Sequence, residues 1–292
     1  MQRKLIQLSP STAVVSMPSS WVKANRLKKG QQVSVDVQDN RVVVAAESNK
    51  AENEVKLDIS KLEGKLVWIA IDAAYIAGHD SIIISTKDAA QAALMGKVVR
   101  YFPGMMIFDE RKNMVHFKSI AGQDREDVGK ILSRIFNLDI SMAEDAAGMI
   151  KSRDYSSLAG MKKRDYAINS YISYCNRQIN KFGFSPFSKT GVMHTYLKLL
   201  EMLADAMSAL FVEIGENKAG IGTEPVNMLA ELLKHLQAMH ASFSNEKLIL
   251  SEEKRQAALK KAKSMPSVVR HPYSRVMELF FDLEELELQM NG

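Results

Sequence analysis

One cysteine in 292 residues, Cys175, excludes an internal disulfide and points to a reducing compartment. No apolar run is long enough to span a bilayer: the most apolar stretch, Leu66 to Ile76, is interrupted by Asp72. No signal peptide is expected, because Arg3-Lys4 is followed by no extended apolar segment. Catalytic signatures are missing as well. There is no Gly-x-x-x-x-Gly-Lys-Ser/Thr phosphate loop, no His-Glu-x-x-His, no Cys-x-x-Cys and no Gly-x-Ser-x-Gly elbow. Gly220-Ile-Gly222 follows no strand and reads as a turn, and Cys175 sits mid-helix as a structural thiol. These absences predict a cytoplasmic protein that is not an enzyme and does not insert into membranes.

What is present begins with charge. Residues 1–46 hold seven lysines and arginines against two aspartates, which leaves +5, the net charge of the whole chain. A basic head on a neutral body predicts a polyanion-binding segment. Within it, Lys4 to Leu8 and Ala13 to Ser16 read as strands, and Pro18 to Asn25 as a short helix. The helix runs into Lys23, Arg26, Lys28 and Lys29, closed by Gly30. Val33 to Val37 alternates as a strand, Asp39-Asn40 turns, and Arg41 to Val44 returns. A module of about 45 residues is near the lower limit for folding alone, so dimerisation is expected. Glu47 to Glu54 reads as a polar linker.

Three segments are predicted: 1–50, 51–122 and 123–292. In the second, the period places Leu66, Ile69, Ala70, Ala73 and Ala77 on one helix face. Ser81 to Ser85 reads as a buried strand, Asp88 caps a helix to about Arg100, and Gly104–Phe108 with Met114–Phe117 form a hairpin. His79 and His116 are expected to be satisfied structural groups. In the third, six helices are read: Arg125–Lys151, Ser157–Lys181, Ser188–Glu216, Glu224–Ala241, Ser251–Ser264 and Tyr273–Met290. Short connections between them predict two three-helix bundles in tandem. Leu197, Leu200, Leu203, Ala204, Met207, Leu210 and Phe211 form the core stripe of the third.

Two carboxylate pairs carry the chemistry of the helical part. Glu201 and Asp205 stand one turn apart on one helix face, and Glu278 and Asp282 repeat that spacing on the last helix, where Glu285 continues the face. Such pairs offer oxygen ligands to a cation, and they also occur on ordinary solvated faces.

Two resemblances add to this reading. Val15, Met17, Pro18, Trp21, Val22, Lys23, Leu27, Gly30, Val33 and Val35 match the pattern of the SpoVT/AbrB family, which the first 46 residues resemble. That resemblance implies a swapped-hairpin β-barrel shared by two chains, with DNA held by Arg3, Lys4, Lys23, Arg26, Lys28 and Lys29. Leu200 to Ala206, Ile168 to Ile179 with Asn176-Arg177-Gln178, and Val276 to Leu288 are similar to PhoU-like phosphate-uptake regulators of archaea. Tyr75-Ile-Ala-Gly-His-Asp80 is similar to the segment that joins an AbrB-like head to PhoU bundles. This second resemblance implies a divalent or iron metal ion on the bundle surface, with Glu201, Asp205, Glu278 and Asp282 as its ligand positions. The expected fold is multidomain α+β: the barrel, a small α+β unit, and a C-terminal all-α part. The expected function is that of a homodimeric or higher-order DNA-binding regulator of phosphate homeostasis. The alternative is a signalling adaptor that docks on a phosphate transporter ATPase or a sensor kinase and uses its head only to dimerise.

Overall fold

In the computed structural model the chain divides into two compact units, Met1–Asn53 and Glu54–Gly292. Residues 1–38, 40–46, 53–120, 127–163 and 165–291 are described. The turn position Asp39, linker positions 47–52, and positions 121–126, which include the helix start read at Arg125, lie outside them.

The first unit holds β1 (Leu5–Ser9), β2 (Thr12–Val15), α1 (Ser19–Ala24), β3 (Val33–Gln38) and β4 (Arg41–Ala46). The strands pair as two separate antiparallel hairpins, β1 with β2 and β3 with β4. No closed barrel forms among the described residues of one chain. None of the side chains whose burial is described in this unit is buried, and Leu5, Leu8, Val35, Val37 and Val42 are 74%, 67%, 60%, 72% and 63% exposed. Valine-rich strands form because β-branched side chains fit a pleated surface. Here that surface has no cover within its own unit.

The second unit opens with β5 (Glu54–Asp58), α2 (Lys65–Ile76), β6 (Ser81–Ser85), α3 (Ala89–Val98), β7 (Met105–Arg111) and β8 (Met114–Ser119). Its sheet has the order β5-β6-β8-β7, with β5 parallel to β6 and the other pairs antiparallel. The Asp88 side chain caps α3, accepting from Gln91 N at 2.8 Å, as the sequence predicts. His116 is satisfied by the Ser81 hydroxyl at 2.8 Å. The predicted face of α2 is corrected: Leu66 and Ile69 are 56% and 61% exposed, and Val67, Ile71, Ala74 and Tyr75 go into the core. This helix is apolar almost all round, so periodicity cannot choose a face, and the bulk of Ile71 and Tyr75 decides it. β5 is an addition to the sequence reading, which left that stretch in linker and loop.

The helical part comprises α4 (Val128–Ser152), α5 (Tyr155–Ala159), α6 (Asp165–Phe182), α7 (Thr190–Glu216), α8 (Glu224–Ala241), α9 (Asn245–Ala262) and α10 (Ser267–Asn291). α4, α6 and α7 pack together, α8, α9 and α10 form a second group, and the pairs α4–α8 and α7–α10 close both over one continuous core. All seven residues of the predicted α7 stripe are buried there. The helix predicted over 157–181 is interrupted by a 3-10 turn at Gly160–Lys163. Before it, Arg153 ends α4 in the left-handed region (φ 58°), and Asp154 caps α5 by accepting from Ser157 N. α9 starts six residues earlier than predicted because Ser244 caps it, accepting from Lys247 N. α10 continues upstream of Pro272, whose missing N–H and ring affect only the first turns of the helix. Where α5 meets α7 there is no room for a side chain: a Cβ on Gly215 would lie 2.6 Å from Ala159 N and 2.7 Å from Tyr155 O.

Candidate functional site

The basic residues of the head lie at the ends of its first strand and of its helix. Arg3 and Lys4 precede β1, Lys23 stands in the last turn of α1, and Arg26, Lys28 and Lys29 follow it; all six are exposed. Their backbone is held by hydrogen bonds from Arg26 N to Lys23 O, Leu27 N to Val22 O and Gln31 N to Lys28 O, each 3.0 Å. Lys28 N also donates to Gln31 Oε1 at 3.1 Å. Arg26 has φ 52°, a conformation that costs a residue with a side chain about 1 kcal/mol or more. The corner therefore holds a cation where glycine or asparagine would be easier. Among the described residues none of the six pairs with a carboxylate, so four cations within seven residues stand ready for an external anion.

The acidic pairs of the helical part are differently placed. Glu201 is half-buried, and Lys198 donates to it at 3.0 Å. Asp205 is exposed. On α10, Glu278 is exposed and paired with Arg275 at 3.0 Å, while Asp282 is half-buried. One residue of each pair thus has a cation from its own helix three positions upstream. Among the described residues no three His, Cys, Asp or Glu side chains converge on one point.

Three polar arrangements escaped the sequence reading. The first joins two segments that the sequence singled out separately. Arg177 of α6 is buried; its Nη1 donates to the carbonyls of Tyr75 and His79 at 2.8 Å each, and its Nη2 to Asp80 at 2.8 Å. Lys181 donates to the same Asp80 oxygen, and Asn180 donates to the carbonyl of Ile76 at 2.9 Å. Gly78 has φ +93°, and a Cβ there would meet Lys181 Cγ at 2.8 Å. The Tyr75–Asp80 segment is thus the socket and Asn176–Lys181 the plug that seats the sheet-containing part on α6. The second lies in the helical core: His240 Nδ1 is 2.7 Å from Glu287 Oε1, and Tyr196 stacks on the imidazole at 5.2 Å. Burial, reinforced by Glu287, raises the Tyr196 hydroxyl well above its usual pKa. That hydroxyl faces the carboxylate without a well-formed hydrogen bond. The third ties α9 to α10. Ser251 Oγ donates to Glu284, and Arg255 Nε donates to its other oxygen at 3.3 Å. Burial raises the Glu284 carboxyl despite both donors. No signal of spacing reveals these partners, because each lies on a different element from its mate, far away in sequence.

No family model, curated protein or solved structure matches this chain.

Proposed function

We propose that the protein is a DNA-binding regulator of phosphate homeostasis that acts as a homodimer. The carrying observation is the head: six exposed cations stand before β1 and at the end of α1, beside two hairpins whose valines and leucines are uncovered. Uncovered apolar strands need a partner, and a second copy of the same head supplies complementary hairpins, closing the barrel that the SpoVT/AbrB resemblance implies. Pairing two heads doubles the basic edge. Phosphate contacts by Lys and Arg then supply affinity, with Arg3, Lys4, Lys23, Arg26, Lys28 and Lys29 in that role. The PhoU resemblance supplies the phosphate context and assigns the helical part to sensing or partner binding.

A salt titration of duplex DNA binding by the intact protein tests this. The log–log slope is expected to be about −0.9 for each neutralised phosphate, and Lys28→Ala/Lys29→Ala, which removes four cations from a dimer, should flatten it by up to about 3.6 units. Binding that is absent, or insensitive to salt, overturns it and leaves the adaptor reading. The metal role implied for Glu201, Asp205, Glu278 and Asp282 is separate. Elemental analysis of protein prepared without chelator, beside a Glu201→Ala/Asp205→Ala variant, supports it if metal is present and lost on substitution. Metal absent from both removes it, and equal non-zero content removes Glu201 and Asp205 from the ligand set.

A further inference from the structure

Between α2 of the sheet-containing part and helices α6 and α7 runs a cleft with two adjoining lobes, of about 390 and 580 Å³. Lys65, Tyr166 and Asn169 line both lobes. One wall of the first lobe is aromatic. Trp68 and Tyr101 meet edge to face at 4.7 Å and 77°, and Tyr101 and Tyr166 repeat the arrangement at 5.6 Å and 79°. Successive near-perpendicular rings expose π faces in different directions, which is how aromatic side chains surround a cation. The same cleft is rich in carboxylates. Asp72, one turn from Trp68 on α2, and Glu201 line the first lobe, and Asp165, Asp205 and Glu213 the second; against these five stand Lys65 among the described lining residues and Lys198, which donates to Glu201 at 3.0 Å.

Two further observations point to a missing ligand. Ser208 is 2% exposed, lines the second lobe, and its hydroxyl has no hydrogen-bond partner. Asn169 Oδ1, at the junction, is buried and equally without a donor. A buried acceptor left unsatisfied costs about 1–3 kcal/mol, so both oxygens are poised for donors that arrive with a ligand. Asp72 agrees with this. Burial raises its carboxyl above the usual range, Glu201 adds to the rise, and Ser173 and Lys198 only partly oppose it.

The ligand is neither a point charge nor an anion. Glu201, Asp205 and Glu213 lie on one helix, so at 1.5 Å per residue they are spread along roughly 18 Å of axis. Among the described residues no three carboxylates converge as a metal ion needs. Spacings of about 6 and 12 Å between successive carboxylates match amines several methylenes apart, and the methylenes between them suit the aromatic wall. We propose that this cleft binds an extended aliphatic di- or polyamine, with one ammonium held by Asp72, Glu201 and the Trp68–Tyr101–Tyr166 wall. A second ammonium lies along α7 at Asp205, where Asn169 Oδ1 and Ser208 Oγ accept its protons. The inference does not depend on DNA binding by the head.

The test uses the full chain carrying Trp21→Phe, which leaves Trp68 as its single tryptophan. Spermidine is titrated against Trp68 fluorescence and, in parallel, by calorimetry on the unsubstituted chain, with Mg²⁺ and butylamine as comparison probes. Saturable binding of spermidine at 150 mM NaCl is expected, at least tenfold tighter than butylamine and not displaced by millimolar Mg²⁺. Glu201→Gln and the exposed Asp205→Asn should each weaken it five- to twentyfold with unchanged circular dichroism. Spermidine and Mg²⁺ binding alike, the absence of saturation, or unaltered affinity in both variants overturns the proposal. Metal loading that depends on Glu201 while spermidine has no effect would overturn it and leave the metal reading standing.

Discussion

The guanidinium of Arg177 lies 4.9 Å from the ring centroid of Tyr75 and donates a 2.8 Å hydrogen bond to the carbonyl of that same residue. One side chain therefore grips both the ring and the backbone at the end of α2. A planar fork with several donors can do this, and an ammonium cannot. Arg177→Lys should lower the unfolding free energy by about 2 kcal/mol, and Arg177→Met by about 3, because the latter strands two carbonyls and part of the Asp80 charge in a buried place. Chemical denaturation reads both. The double variant Arg177→Met/Asp80→Asn should cost less than the sum of its parts, since the two residues share one interaction.

Glycines in the second unit divide sharply. Gly78→Ala meets both a left-handed backbone and the Lys181 side chain, and should cost about 1–2 kcal/mol. Gly96, inside α3 with open space around its Cβ position, should gain about 0.5–1 kcal/mol as alanine. Thermal unfolding of the two variants side by side should shift in opposite directions.

Asp139 is fully buried in α4, and neither carboxylate oxygen has a partner. Burial alone holds its pKa well above the usual value, so the folded state keeps a proton that the unfolded chain gives up near pH 4. Between the unfolded and folded values, stability falls as pH rises, by about 1.4 kcal/mol per unit from this one group. Denaturant midpoints measured at rising pH from about 5 should show that decline. In Asp139→Asn the slope should be shallower by one proton, with the variant gaining most over the native chain at the alkaline end.

For the head, uncovered Leu5, Leu8, Val35, Val37 and Val42 predict a stability tied to association. A tenfold increase in protein concentration should raise its melting temperature, whereas Val37→Glu should abolish that dependence and shift sedimentation toward the single chain. Differential scanning calorimetry and analytical ultracentrifugation measure the two effects.

How far the sequence disclosed this structure depended on contrast. Along α7 the apolar residues stand every three or four positions among charged ones, and all seven stripe residues are buried as read. Along α2 apolar residues fill every face, the pattern holds no contrast, and the wrong face was expected. β5 is five residues long and bonds to a strand that begins more than 20 positions later, so its pairing has no local signature. The clamp was half-visible: Tyr75–Asp80 and Asn176–Gln178 both stood out as segments, but nothing in their spacing told that Arg177 enters the other. Glu201 and Asp205 were visible as a pair. The aromatic wall that shares their cleft was not, because Trp68, Tyr101 and Tyr166 come from three separate stretches of chain.

Gly215, against which the α5 turn rests backbone to backbone, has a mechanical meaning for α7. Axial translation would carry the side chains one turn away on the same face, Phe211 and Val212, toward Ala159 and Tyr155, so that end of the rod works as a fixed bearing. The cleft carboxylates Glu201 and Asp205 sit about 15–21 Å up the shaft from it, at 1.5 Å per residue. A load applied there acts on α7 at that distance from the point where its backbone is held.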